Sequence, residues 1–180
     1  AGLDGTLGCD ILRRSTGTLP EGTVLMVVGG RPITRDSRLV DESLCHSAIL
    51  AFDGYSGEVL GKLSLEAGSP FADAFNEIDQ PNGLALDAEG NLYFGDIANS
   101  NPDPDPHAPP PVPPAIYRVP HESLDGLFGG GAPEGVQRVL MPGFVNGLTV
   151  SPMDDSVWAV SCSAADPVGG GIYQLTDESF

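Results

Sequence analysis

The phrase Asn-Gly-Leu occurs twice, and each time it opens the same alternation of apolar residues. Asn82-Gly83-Leu84-Ala85-Leu86 aligns with Asn146-Gly147-Leu148-Thr149-Val150, and beyond a polar corner Leu92-Tyr93-Phe94 aligns with Val157-Trp158-Ala159. Alternation with a period of two marks half-buried strands, and two such runs about a short corner mark a hairpin. A third run follows each hairpin, Ala115-Ile116-Tyr117-Arg118-Val119 in one case and Gly171-Ile172-Tyr173-Gln174-Leu175 in the other. A similar phrase, Ala48-Ile49-Leu50-Ala51-Phe52-Asp53, precedes the hairpin YSGEVLGKLSL. Three repeats are visible, each a meander of up to four antiparallel strands that cannot bury both faces alone. Such units must stack against one another about an axis, which is the logic of a β-propeller blade.

The expected fold class is therefore all-β, a partial propeller domain over residues 1–180. Blade one is expected at about 20–66, a connector at 67–79, blade two at 80–143 and blade three at 144–180, ending before its fourth strand. Closed propellers have ~4 to 8 blades, so about three leave the ring unfinished. The remainder would come from a longer polypeptide or from a second copy. Long helical periodicity is nearly absent, and 24 Gly and 17 Pro punctuate the chain. The best helix candidate is SPFADAFNEI, where Ser69 can cap and Phe71, Ala74, Phe75 and Ile78 share a face. In blade two, the proline-rich insertion at about 100–114 lacks ladder donors and should run as a stiff surface loop, as a lid, a docking arm or a plain spacer. Tyr93, Tyr117, Trp158 and Tyr173 are expected to pack between blades.

Charge narrows the function classes. Twenty-five acidic residues stand against 8 basic ones, for a formal net charge of -17. Such a field repels phosphates, so nucleic acid and anionic lipid are poor partners. A dense acidic surface suits either a salty habitat or cation binding. No apolar run approaches the roughly 18 residues of a membrane span; runs such as Val24 to Val28 stop at five. The start at Ala1 fits a removed leader or a trimmed chain, and the expected location is secreted or periplasmic. Cys9, Cys45 and Cys162 show no CxxC spacing, so no zinc or thioredoxin motif is indicated. In an exported chain Cys9 and Cys45 are the candidate disulfide pair. Cys45-His46 beside His107 or His121 would make a metal cluster, but without ligand spacing the structural reading is preferred.

The phrases PNGLALDAEGNLYFGD and VNGLTVSPMDDSVWAV resemble repeats of the senescence-marker-protein, gluconolactonase and luciferin-regenerating-enzyme family, the regucalcin-like six-bladed propellers. This resemblance implies that the three blades are half of a six-bladed ring. The same phrases also resemble NHL repeats. The first resemblance implies a divalent cation, commonly calcium, at one end of the central channel, held by a Glu, an Asn of an Asn-Gly phrase and an Asp of a later blade; such hard cations take oxygen ligands. On that likeness Asn146 matches the metal-ligand Asn, and Asn82 matches the Asn that contacts substrate or metal-bound water. Glu21 in LPEGTV loosely matches the metal Glu, with Thr23 in place of a proline, and Asp96 is a further channel oxygen on the substrate side. The activity implied is hydrolysis of a sugar lactone or small ester, with the cation polarising the carbonyl and a carboxylate activating water. No phrase before Phe180 supplies that carboxylate, so the catalytic residue is unassigned. The NHL likeness implies instead a non-catalytic scaffold that binds protein or glycan in an extracellular assembly. Without any metal, Asn-Gly is selected wherever a sharp corner needs positive φ, and an Asp ending a strand caps the next turn.

Overall fold

The period-two runs form strands. The computed structural model describes residues 6–29, 47–75, 78, 81–96, 113–162, 170–176, 179 and 180. Among them, three antiparallel sheets follow one another along the chain, and the fold is mostly β. The first sheet has the order β1 (Thr6–Ile11), β2 (Val24–Val28), β3 (Ala48–Phe52) and β4 (Val59–Ser64). After helix α1 (Pro70–Phe75) comes the second, β5 (Pro81–Leu86), β6 (Leu92–Asp96), β7 (Ala115–Val119) and β8 (Gln137–Leu140), with helix α2 (Leu124–Phe128) between its last two strands. The third holds β9 (Phe144–Val150), β10 (Val157–Cys162) and β11 (Gly171–Leu175).

The first sheet begins at Thr6, ahead of the residue-20 start expected for the first repeat. Ladder register makes Leu7-Gly8-Cys9-Asp10-Ile11 the counterpart of the two Asn-Gly phrases, since Ile11 pairs with Val24 as Leu86 pairs with Leu92 and Val150 with Val157. Leucine stands where the other repeats have asparagine, which hid the likeness.

These three first strands lie side by side and run the same way. Gly8 sits against the backbone of Gly83 and Leu84, and Gly83 against that of Gly147 and Leu148. Further along, the Leu86 amide donates to Asp10 Oδ2 at 2.9 Å, and the Ala88 amide donates to Asp155 Oδ1 at 2.9 Å. Apolar side chains fill the space between sheets. Leu25, Val27, Ile49 and Ala51 of the first sheet share one buried cluster with Leu92, Phe94, Tyr117 and Val119 of the second. Tyr93 and Ile116, on the other side of the second sheet, share another with Val145, Val157, Ala159 and Leu175 of the third.

Tyr93 and Tyr117 pack between sheets as expected, and Tyr173 packs against the second cluster. Trp158 does not, because the pleat turns it to the outer side of the third sheet, where it is half-buried and donates to Ser156 Oγ at 2.8 Å. Helix α1 is capped by Ser69, whose Oγ accepts from the Ala72 amide at 3.2 Å. Phe71 and Ile78 are buried, but Ala74 is exposed and Ala72 takes its place against the core. Phe71 packs its ring on Phe94 and Tyr117 at 5.7 and 5.3 Å between centroids. No described helix is long and apolar enough to cross a membrane.

One contact ties the β1–β2 loop to helix α2. The Asp125 carboxylate accepts from the Thr16 hydroxyl, from the Thr18 amide at 3.0 Å and from the Thr18 hydroxyl at 2.7 Å. Burial alone would raise this carboxyl, but the hydrogen bonds from Thr16, Thr18 and Gly17 outweigh it and hold the group at about 2. The unfolded value is ~3.9. A depressed carboxyl stabilises the fold above the unfolded value and loses that contribution as pH falls through the folded one. Asp125→Asn is accordingly expected to cost roughly 1 kcal/mol at neutral pH and little near pH ~2, discounted for the contact's partial exposure. Urea denaturation at the two pH values measures it.

Candidate functional site

The two ends of the parallel-running strands β1, β5 and β9 carry different chemistry. At the amino end lie the Asn-Gly phrases, which form bulges inside the strands rather than corners before them. Asn82 opposes Gly95 and Leu84 opposes Phe94, which leaves Gly83 bulged with φ 67°. In the third sheet Val145 opposes Ser161 and Gly147 opposes Val160, leaving Asn146 as the extra residue. The first sheet skips Leu7 in the same way. A bulge locally bends a strand and re-aims a side chain, so this point of the strand has a structural task in all three sheets, with Asn-Gly in two of them.

The structure brings Asn82, Asn146 and Asp96 to this amino end. Asn82 is half-buried, Asn146 is exposed, and Asp96 is buried where its strand pairs with Pro81 and Ala115. The Asp96 charge acts on a neighbour: Tyr117 is pushed up to about 12, first by burial and then by Asp96. Glu21 is not brought there. It is exposed in the β1–β2 connection, between the Leu12 amide bond to Thr23 and the Gly22 amide bond to Leu12, at the carboxyl end of β1. At about 3.3 Å per residue, the length of β5 alone separates the two ends by roughly 15 Å. One cation cannot contact both Glu21 and Asn146. Cys9 is an exposed free thiol, while its expected partner Cys45 lies outside the described residues, as do His46, His107 and residues 100–112 of the proline-rich insertion.

The carboxyl end holds a group of acids contributed by two sheets. Asp87 and Glu89 stand in the β5–β6 corner and Asp155 in the β9–β10 corner, the latter at φ 58°. Each offers an oxygen, and the three oxygens lie within 4.8 Å of one another. Such a set can hold a hard cation. Asp87 is buried and already committed to the corner: Oδ1 accepts from the Asn91 amide at 2.7 Å, while Oδ2 accepts from Asn91 Nδ2 at 2.8 Å and from the Tyr93 hydroxyl at 3.0 Å. Asn91 Oδ1 in turn accepts from the His121 amide at 3.1 Å. Tyr93 is held strongly protonated, chiefly by burial and next by the Asp87 charge. The acids rim a cavity of ≈ 490 Å³ between the second and third sheets, which Tyr93, Arg118 and Phe180 also line. A second groove, of ≈ 290 Å³, follows the inner strands past Asp10, Arg13, Leu84 and Leu148 to Asp155.

In the sequence, Asp-Ala-Glu-Gly at 87–90 reads only as the polar corner between two strands, which leaves this group unseen. The available signal was that the Pro-Met-Asp-Asp corner of the next repeat is acidic too.

Glu89 is raised above its ordinary value by a hydrogen bond with the Asp155 carboxyl and then by the charges of Asp87 and Asp155. A carboxyl raised in the fold favours folding while protonated, and that advantage is lost as pH rises through the folded value. Glu89→Gln removes the repulsion at neutral pH. It is expected to raise the thermal midpoint by ~1–2 °C at pH ~7 and to leave it unchanged at pH ~4, as followed by circular dichroism.

Compared with protein-family models and with curated proteins, the chain finds no match.

Proposed function

We propose that the chain supplies three blades of a regucalcin-like or NHL-like propeller and works, secreted or periplasmic, as a non-catalytic scaffold that binds protein or glycan. The observation that carries the scaffold over the enzyme is the separation of Glu21 from Asn82 and Asn146. Among the described residues, the candidate donors that share the amino end are two neutral amides and one buried carboxylate, a weaker hard-cation set than the three acids at the carboxyl end. The side-by-side run of β1, β5 and β9, with Gly8, Gly83 and Gly147 in succession, supports blades arranged about an axis.

Calcium remains the expected cofactor in a structural role, since Asp87, Glu89 and Asp155 supply oxygens from two sheets and their mutual repulsion is relieved by a cation. Millimolar calcium is then expected to raise the thermal midpoint of the wild type by several degrees and that of Glu89→Gln by less. No shift in the wild type rejects this role.

The second reading is a calcium-dependent lactonase of the gluconolactonase type. It is favoured by Asn82 and Asn146 standing at the same end of neighbouring strands. A screen of sugar lactones and small esters with calcium or zinc separates the two readings. The scaffold gives no turnover; turnover lost on chelation and in Asn146→Ala establishes the enzyme.

A further inference from the structure

Each sheet covers the one before it with the same set of positions. On the first sheet the covered face carries Leu25, Val27 and Ile49, all 0% exposed. Ladder register puts Tyr93, Gly95 and Ile116 at the corresponding places of the second sheet, and Ile116 is 0% exposed with the third sheet packed on it. In the third sheet the counterparts are Trp158, Val160 and Ile172. Here Val160 is 45% and Ile172 72% exposed. The inner strands repeat the pattern, because a Cβ on Gly8 or on Gly83 would meet the next strand's backbone, while one on Gly147 meets nothing within 4 Å. The third sheet thus presents a face of the covered kind, with no cover among the described residues.

A matching cover exists at the other end of the stack. The second sheet covers the first with Leu86, Leu92, Tyr117 and Val119, and the third covers the second with Val150, Val157, Tyr173 and Leu175. The equivalent residues of the first sheet are Ile11, Val24, Leu50 and Phe52, all apolar; Ile11 is 53% exposed and the others are half-buried. A face that takes a cover and a face built as one therefore occur on the same chain. We infer that a second copy of this chain docks here, the first sheet of each copy lying on the third sheet of the other. This rests on the propeller reading. A two-fold axis satisfies both contacts at once, and two chains of three sheets give six, within the ~4 to 8 that close a ring. Two bodies of charge -17 repel each other, so the apolar contact gains when salt screens the field.

Size-exclusion chromatography with light scattering on the full chain tests this. Wild type is expected to run at twice its 18.6 kDa mass, with a dissociation constant that falls as salt is raised from ~0.15 to ~1 M. Ile172→Glu changes an exposed side chain and is expected to give a folded monomer, weakening association at least ~10-fold; Ile11→Glu is expected to do the same from the other face. Mixing the two variants regains dimer, because one of the two contacts then joins an unaltered third sheet to an unaltered first sheet. A wild type that is folded by circular dichroism yet monomeric at every concentration overturns the inference, as does a dimer indifferent to Ile172→Glu or a mixture that stays monomeric. None of these outcomes bears on the lactone screen, which decides the scaffold reading separately.

Discussion

Gly83→Ala is expected to lower the unfolding free energy by roughly 3 kcal/mol, enough to leave a marginal domain partly unfolded at 37 °C. Two costs combine. Gly83 is the bulged residue of β5 at φ 67°, a region that costs an alanine about 1 kcal/mol. The new Cβ would also stand 2.9 Å from the Leu148 amide nitrogen and 3.2 Å from Gly147 Cα. Those are backbone atoms of a paired strand, so the crowding cannot be relieved by a rotamer change and must displace β5 from β9. Gly57→Ala is the control. Its φ is 73°, yet a Cβ there meets nothing within 4 Å, so only the conformational cost of about 1 kcal/mol applies. Urea denaturation compares the two through their midpoints at a common slope. If Gly83→Ala costs no more than Gly57→Ala, the close approach of the inner strands is wrong, and with it the stacking of the three sheets.

That approach explains what could be seen in the sequence and what could not. Strands were legible because alternation such as Leu84, Leu86, Leu92 and Phe94 is a direct print of the pleat. The inner strand of the first sheet was not, because what the three repeats share there is a glycine, required by the neighbouring backbone at Gly8 and Gly83, and one glycine is too little signal. The same fact resolves the Asn-Gly phrase: Gly83 provides a left-handed residue within a strand, where a corner was equally compatible with the residue types. Glu21 misled for another reason. A Glu-Gly pair fits a hairpin connection as well as the mouth of a channel, and only topology says at which end of β1 it lies. The Asp87, Glu89 and Asp155 group escaped notice because its members come from corners of different repeats, which meet only once the second and third sheets stack. Trp158 shows the limit of composition, since residue type does not say on which side of its sheet a side chain falls, and its register sends it to the side that no described sheet covers.

Asp87→Ala is expected to cost roughly 3 kcal/mol, the largest loss within the Asp87, Glu89 and Asp155 group, although the substitution removes a negative charge from an acidic cluster. Relief of repulsion is the smaller effect, because Glu89 is exposed and Asp155 half-exposed to water, which screens their charges. The larger effect is the loss of an acceptor. Three donors converge on Asp87, namely the Asn91 amide, Asn91 Nδ2 and the Tyr93 hydroxyl. Asn91 and Tyr93 are 7% and 5% exposed, so water replaces the carboxylate poorly and each stranded donor costs on the order of 1 kcal/mol or more. Asp155→Ala should cost only about 1 kcal/mol, since the Ala88 amide that it accepts from is exposed and finds water. Tyr93→Phe provides the decisive comparison. Deleting the hydroxyl removes one stranded donor, so the loss in the double variant with Asp87→Ala should be roughly 1 kcal/mol smaller than the sum of the single losses. Strict additivity would mean that the carboxylate and the hydroxyl do not support each other, and that the corner joining β5 to β6 is held in some other way.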